Sequence, residues 1–501
     1  MVVHETEHWL QMIKKDQTLC VIFIVGDSRE DVLDRRKPLN PEQGWAVVTD
    51  TGAFREASLA VRSRVLPAIS EDDINAHPGE LWERVFSRAN LMSALKRVEH
   101  NRGAPGVDGL TVAELRDWLS EHWDATRVAL DAGVYRPLPV AQVMIPKPDG
   151  GQRRLGIPSV VDRLVQQAIA QVLVPVFDPG FVPVSYGFRP HRSAHDAVLV
   201  AKQAIQDGYR WVVEVDLDAF FDRVNHDMLM ARIARKVEDT RLLRLIRAYL
   251  QAGIMTDGVV QATSQGTPQG SPLSPLLSNI LLDDFDQLFW SRGHRFVRYA
   301  DDIRVMVRSK RAAYRVLEVA TRFFEDRLRL KVNRTKSSVK PASSAELLGY
   351  AFYFAKGSQV KLRMAPATRQ RVKERLRALT SRRWSVSMEE RLRRLNQYIR
   401  GWMGYFRLLD TPKILKTLDK WFHRRLRQIR WKEWKRPKTR IRMLRSLGIR
   451  PELAYQWGNA SRAYWRIAKS PILHRALPRH YWHDHGVIFF YDAWLRFRPN
   501  G

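Results

Sequence analysis

"RFVRYADDIRVMV", residues 295–307, sets two adjacent acids, Asp301 and Asp302, between apolar, β-rich flanks. Neighbouring carboxylates repel, and burying either one uncompensated is costly. The flanks read as the arms of a hairpin with the acids at or beside the turn, exposed at one end of a sheet. Taken alone, the pair is an ordinary turn, because Asp is a common turn residue. A second stretch shifts the balance. "VVEVDLDAFF" (212–221) is a β-branched strand ending in Asp216. If it lies beside the hairpin in one sheet, Asp216 and Asp301 converge. Oxygen donors of this kind suit Mg²⁺, which keeps several waters and takes phosphate oxygens from a substrate. Two such ions about 4 Å apart form a clamp for in-line displacement at phosphorus. The expected cofactor is therefore a pair of Mg²⁺ ions, with Mn²⁺ as a substitute.

At 501 residues the chain has room for about three domains of ordinary size. The 84 Lys+Arg against 53 Asp+Glu leave a net charge of +31, which favours polyanionic partners and salt-sensitive association. The 16 Trp, 20 Phe and 14 Tyr are interleaved with those charges, as base-stacking surfaces require. Cys20 is the one cysteine, which excludes an internal disulfide and a Cys-based zinc site. The N-terminus lacks a signal-peptide pattern, "LCVIFIV" (19–25) is too short to span a bilayer, and no apolar run of about 18 residues is found. The expectation is a soluble protein of a bacterial cytoplasm, without a membrane partner.

Residues 1–80 carry mixed signals and no assigned role. From 81, "LWERVFSRANLMSALKRVEHN" and "VAELRDWLSEHWDATRVAL" have helical periodicity. "PVAQVMIPKPDGGQRRLGIPSV" (139–160) reads as two strands around a Pro-Asp-Gly-Gly turn, followed by the helix "VDRLVQQAIAQVLVPVF". Strands mixed with helices in this order predict an α+β region. After about 365 the strand signals fade and arginine-rich amphipathic helices take over.

Tyr299-Ala300-Asp301-Asp302 resembles the signature tetrapeptide of reverse transcriptases, and "DLDAFFDRVNHD" (216–227) their first catalytic-Asp motif. "TPQGSPLSPLLSNILLDDFD" (267–286) is similar to their nucleotide-pocket motif, in the form carried by group II intron-encoded reverse transcriptase/maturases. The resemblance implies a fingers-palm fold over 81–365. It implies metal and catalytic roles for Asp216, Asp301 and Asp302, with Asp302 nearer the primer end. Phe221 matches the aromatic under the incoming sugar, where a ring would exclude a 2′-hydroxyl. Phe220 reads as core, with strand alternation placing the two rings on opposite faces. Gln269, between Pro268 and Gly270, would reach the nucleotide's ribose or base. Lys147 and Arg153 would close on the triphosphate from the two arms of the fingers hairpin, and Lys336 in "KVNRTKSS" lies near its phosphates. "ELLGYAF" (346–352) matches a primer-grip segment, or else plain core. Asp218 reads as exposed and Asp222 as the cap of the next turn.

"NQYIRGWMGYFRLLDTPKILKTLDKWFHRRLRQIRWKEWKRPKTR" (396–440) resembles the thumb and maturase region of the same family, placed at 366–440. "ELAYQWGNASRAYWRIAKSPILHRALPRHYW" resembles the DNA-binding tail, placed at 441–501. The family's terminal His/Cys endonuclease module is not expected. The implied function is a polymerase that copies RNA into DNA and, as a maturase, binds its intron RNA to promote splicing and mobility. Its implied partners are that RNA, an RNA template, a DNA primer or target, and dNTPs. Two alternatives share these motifs: a maturase acting only by RNA binding, and an intron-free reverse transcriptase serving repair or phage defence.

Overall fold

The computed structural model describes residues 80–146, 151–256, 259–261, 265–461 and 463–498. The expected strand at 19–25 and the rest of the N-terminal extension through 79 lie outside these residues. The chain divides into two compact units, Met1–Pro341 and Ala342–Gly501.

In the first unit the predicted opening helix comes as two pieces, α1 (Glu80–Phe86) and α2 (Arg88–Asn101). Ser87 separates them. Its backbone is extended and its hydroxyl accepts from the Asn90 amide, so one residue stops the first helix and caps the second. After α3 (Leu115–Asp131) the hairpin of β1 (Val140–Pro146) and β2 (Gln152–Ile157) pairs Ile145 with Arg153 and Pro146 with Gln152. The tip of that hairpin, with Lys147, lies outside the described residues. The next helix, α4 (Val160–Phe177), is long and apolar enough to cross a membrane by length and composition, although Asp162, Arg163 and three glutamines interrupt its apolar residues. Most of it is buried inside the protein, where it packs on α2.

The rest of this unit runs α5 (Ala194–Gln206), β3 (Trp211–Val215), α6 (His226–Ile233), α7 (Thr240–Gln251), β4 (Ile254–Thr256), β5 (Val259–Gln261), α8 (Ser274–Ser291), β6 (Arg295–Tyr299), β7 (Asp302–Val307), α9 (Lys310–Arg322) and β8 (Ser338–Pro341). Two four-stranded sheets result, ordered β2-β1-β4-β5 and β6-β7-β3-β8. The second is antiparallel throughout and buries Val212, Val213, Val215, Ile303, Val305 and Met306. Helix α9 packs against β3, β7 and β8, and α5 against β6 and β7. Covered in this way, β3 is apolar nearly throughout and does not alternate.

The second unit opens with an antiparallel sheet of β9 (Glu346–Leu347), β10 (Tyr350–Phe354) and β11 (Val360–Met364). "ELLGYAF" supplies its core through Leu347, Tyr350, Ala351 and Phe352. From Pro366 every described element is helical, beginning with α10 (Pro366–Leu379), α11 (Met388–Tyr405) and α12 (Pro412–Glu433). The change from strand to helix thus falls where the sequence places it, near 365, although the compact units divide at Pro341/Ala342. One expectation fails in part here. Trp402, Phe406, Trp431 and Trp434 are buried core and offer no face to a base, while Tyr405 and Trp421 are half-buried. Most arginines and lysines of these helices stay at the surface, although Arg391 and Arg427 are buried.

Candidate active site

Strands β6 and β7 pair Tyr299 with Asp302, leaving Ala300 and Asp301 as a two-residue turn. Ala300 has φ +56°, the left-handed conformation that a tight hairpin requires and that a side chain disfavours. Two contacts hold it. Arg298 Nη1 donates to the Ala300 carbonyl at 3.0 Å. Behind the turn runs the segment 184–187, in which Tyr186 N donates to the Arg298 carbonyl at 2.8 Å and Arg298 N to that of Val184 at 3.0 Å. The approach is so close that a Cβ on Gly187 would sit 2.1 Å from Ala300 N. Arg298 is itself sealed in, with its guanidinium forked onto Asp286 of α8 (Nη2–Oδ2 2.5 Å, Nε–Oδ1 2.9 Å) and donating to Asn279 Oδ1 at 2.8 Å. Asn279 Nδ2 completes the loop by donating to the Gly187 carbonyl.

Asp216 follows the last residue of β3, and Val215 pairs with Ile303 of β7. Asp216 therefore emerges at the same sheet end as the hairpin turn. A second segment fixes it: Asn333 N donates to the Asp216 carbonyl at 2.8 Å, and Asp216 N to Ser337 Oγ at 3.0 Å. Lys336, exposed, precedes that serine. Burial pushes the Asp301 carboxyl above the usual carboxylate range, helped by the negative charges of Asp302 and Asp216 and opposed by the Arg153 guanidinium. Asp216, Asp301 and Arg153 thus lie within electrostatic reach of one another. Asp302 forms an ion pair with Arg304, whose guanidinium also approaches Glu214 at 3.7 Å.

The remaining loops are laced to these. Gly156 N on β2 donates to the Gln269 carbonyl at 2.8 Å, and Gly270, at φ +114°, lies so near that a Cβ there would meet the Gly156 carbonyl at 2.8 Å. Thr267 N donates to the Phe221 carbonyl at 2.7 Å, and Gly266 N to that of Val224 at 2.8 Å. Ser274 Oγ, at the start of α8, donates to the Pro268 carbonyl. Arg153, Gln269 and Phe221 are in this way tied through main-chain bonds into one framework.

Two readings of the first motif need correction. Phe220 and Phe221 lie in a short 3₁₀ turn (Phe220–Arg223) and not in a strand, so alternation does not separate them. Phe220 is buried, Phe221 is half-buried, and their rings meet edge to face at 5.1 Å. The next helix, α6, is capped by Asn225 and not by Asp222: the Asn225 side chain accepts from Met228 N. Asp218 is half-exposed and pairs with Arg223 at 3.2 Å. Arg298, Asp286, Asn279, Gly187, Arg304 and Ser337 were not legible as site residues. Only the close glycine in "SYGFRP" is a local signal, and it does not name its neighbour.

Among the described residues no three His, Cys, Asp or Glu side chains form a metal cage. The donors nonetheless suit magnesium. Mg²⁺ takes one or two protein carboxylates and completes its shell with water and substrate phosphate. Asp216 and Asp301 offer hard oxygens on neighbouring chain segments, and a bound cation would offset the burial and the Asp302 and Asp216 charges that push the Asp301 carboxyl up.

Residues 145–352 match the family described as "Reverse transcriptase (RNA-dependent DNA polymerase)", and residues 369–448 the "Group II intron, maturase-specific domain". "Protein YkfC" of Escherichia coli (strain K12) is 32% identical over 289 residues, 50% of this chain and 76% of that protein. "Group II intron-encoded protein LtrA" of Lactococcus lactis subsp. cremoris is 36% identical over 171 residues, 34% of this chain and 28% of that protein. The "Uncharacterized 91 kDa protein in cob intron" of Schizosaccharomyces pombe is 40% identical over 203 residues, 40% of this chain and 25% of that protein. The aligned part thus spans most of the first relative but only about a quarter of the two intron proteins. With both family matches in order along it, the chain belongs to the group II intron-encoded reverse transcriptase/maturase family.

Proposed function

We propose that this protein polymerises DNA on an RNA template at the Asp216–Asp301 site, and that its basic helical region holds a folded intron RNA in support of splicing and mobility. The observation carrying the first half is the arrival of Asp216 and Asp301 at one sheet end, with the Arg153 guanidinium within electrostatic reach of Asp301. Two magnesium ions held by Asp216, Asp301 and Asp302, with Asp216 and Asp301 as the main ligands, would supply Lewis-acid activation of a primer 3′-hydroxyl and charge neutralisation at the leaving pyrophosphate.

The chain's own groups do the positioning. Arg153, on a strand whose end is bonded to the Gln269 loop, brings positive charge to the place where a triphosphate would lie. Lys147, on the opposite arm, and Lys336, beside the Asp216 clamp, are assigned to the same phosphates. Phe221 is assigned as the floor beneath the sugar, where a ring leaves no space for a 2′-hydroxyl. Asp302 is assigned with Asp216 and Asp301 to the metal-binding and catalytic set, nearer the primer end; its carboxylate pairs with Arg304, and its charge is one of those that raise the Asp301 carboxyl.

Primer extension on an RNA template with dNTPs and Mg²⁺ tests this reading. Asp301→Ala should lower extension by about 10³-fold or more, the scale of several kcal/mol of lost charge stabilisation. Intron RNA binding by the same variant should stay close to wild type. No extension by the wild-type protein would leave only the RNA-binding role, and comparable loss of both activities in the variant would make the acids structural.

A further inference from the structure

The turn that carries Phe221 and the loop that leads to Gln269 are distant in sequence and meet along a short row of main-chain contacts. Asn225 bridges to Gln265, Gly266 N donates to the Val224 carbonyl at 2.8 Å, and Thr267 N donates to that of Phe221 at 2.7 Å. A two-stranded contact this short is marginal by itself. One side chain closes it. His226, the first residue of α6, is 4% exposed, and its Nε2 lies 2.6 Å from the Gly266 carbonyl. A carbonyl only accepts, so Nε2 carries the proton and donates.

Both ends of that bond are fixed. Gly266 has φ +95°, and a Cβ there would meet the Phe221 carbonyl at 3.0 Å and the Asp222 carbonyl at 3.1 Å, so the loop lies directly against the turn that carries the ring. On the other side α6 is firmly seated. It buries Leu229, Met230 and Ile233, packs on α8, and is tied to it by Arg232 Nε donating to Asp284 Oδ2 at 2.9 Å. The imidazole therefore joins an anchored helix to the loop that lies between Phe221 and Gln269. A histidine that merely fills the core would serve stability alone; this one donates to the backbone of the very residue packed against the Phe221 carbonyl.

We infer that His226 is a positioning residue for sugar selection: its Nε2–H holds the Gly266 carbonyl and so fixes the Phe221 turn against the Gln269 loop. The inference rests on the assignment of Phe221 as the floor beneath the sugar, and it adds a residue that acts through that ring without touching the nucleotide.

The test is single-nucleotide extension of a primer on an RNA template by the full chain, read as the ratio of kcat/KM for dNTP and rNTP. His226→Leu keeps the bulk and removes the donor, whereas His226→Gln keeps a donor at similar reach. His226→Leu should lower the ratio by about tenfold, the scale of one lost buried hydrogen bond, and His226→Gln should stay within about threefold of wild type. In a Phe221→Ala background His226→Leu should change the ratio no further, because the ring it positions is gone. Melting temperature and RNA binding are measured on the same variants. A lower melting temperature with an unchanged ratio in His226→Leu would make the residue plain core and overturn the inference. So would equal falls in the Leu and Gln variants, complete loss of extension in His226→Leu, or the same fall with and without Phe221; all of these leave the polymerase reading intact. An unchanged ratio in Phe221→Ala alone would remove the gate and this inference with it. No extension by the wild type would overturn the polymerase reading as well.

Discussion

Phe221 is half-buried in a 3₁₀ turn, edge to face with buried Phe220, and its carbonyl is bonded to the amide of Thr267. Backbone and ring are therefore both located by the fold, as a steric gate requires. Phe221→Ala should relax discrimination against ribonucleotides, read as the ratio of kcat/KM for dNTP and rNTP incorporation; an unchanged ratio would reject the role. Gly187 makes a stricter case. A Cβ there meets the Ala300 amide at 2.1 Å, so Gly187→Ala must push the turn that carries Asp301. Displacement by about 1 Å costs on the order of 10²-fold in rate, which predicts lost extension in a protein that still binds RNA. The sequence names the acids because a two-residue turn and a strand end are local events. It does not name Arg298, which reads as a polar residue on a hairpin arm. Its partner Asp286 lies on a different element, and only tertiary packing joins them. The face assigned to Phe221 failed for a local reason: the strand ends at Val215 and the chain coils before it reaches the ring.

Helix α8 shows what one element can carry. Its first turn pins the Gln269 loop through Ser274, its middle supplies Asn279 to the Arg298 network, and its last turns carry Asp283 and Asp286. Burial pushes the Asp283 carboxyl up to about 6, with the nearby Asp286 charge adding to it, while Gln287 Nε2 donates to it at 3.2 Å. A carboxyl with a raised folded pKa favours the folded state fully below its unfolded value near 4, and loses that contribution as pH rises through about 6. Asp283→Asn keeps an acceptor for Gln287 and removes the charge. The variant should melt higher than wild type at pH 7 to 8, and the difference should vanish below about pH 4. A melting difference that is the same at every pH would show that the carboxylate is not the cause. The sequence marks this stretch only as the nucleotide-pocket motif, and the burial of its acids is not legible there, because the same "LLDDFD" fits either a solvated end or a buried pair.

For the whole molecule, the excess of positive charge and the burial of the tryptophans together decide how RNA is held. The net charge of +31 is plain in the composition, but four of the aromatic residues among the arginines, Trp402, Phe406, Trp431 and Trp434, are core and not stacking platforms. An amphipathic helix gives the same pattern whether its aromatic stripe faces a core or a ligand, and here Trp431 is 1% exposed and packs edge-on against Trp434 at 5.9 Å. The two roles separate cleanly in experiment. Trp431→Ala removes a large core side chain and should cost about 3–5 kcal/mol of stability, read as a fall in melting temperature. Below that temperature its RNA affinity should fall with salt along the wild-type slope, because that slope counts phosphate contacts made by arginine and lysine and not by indole rings. A base-stacking tryptophan would behave in the opposite way, with little loss of stability and a drop in affinity of about 1–3 kcal/mol that salt does not alter.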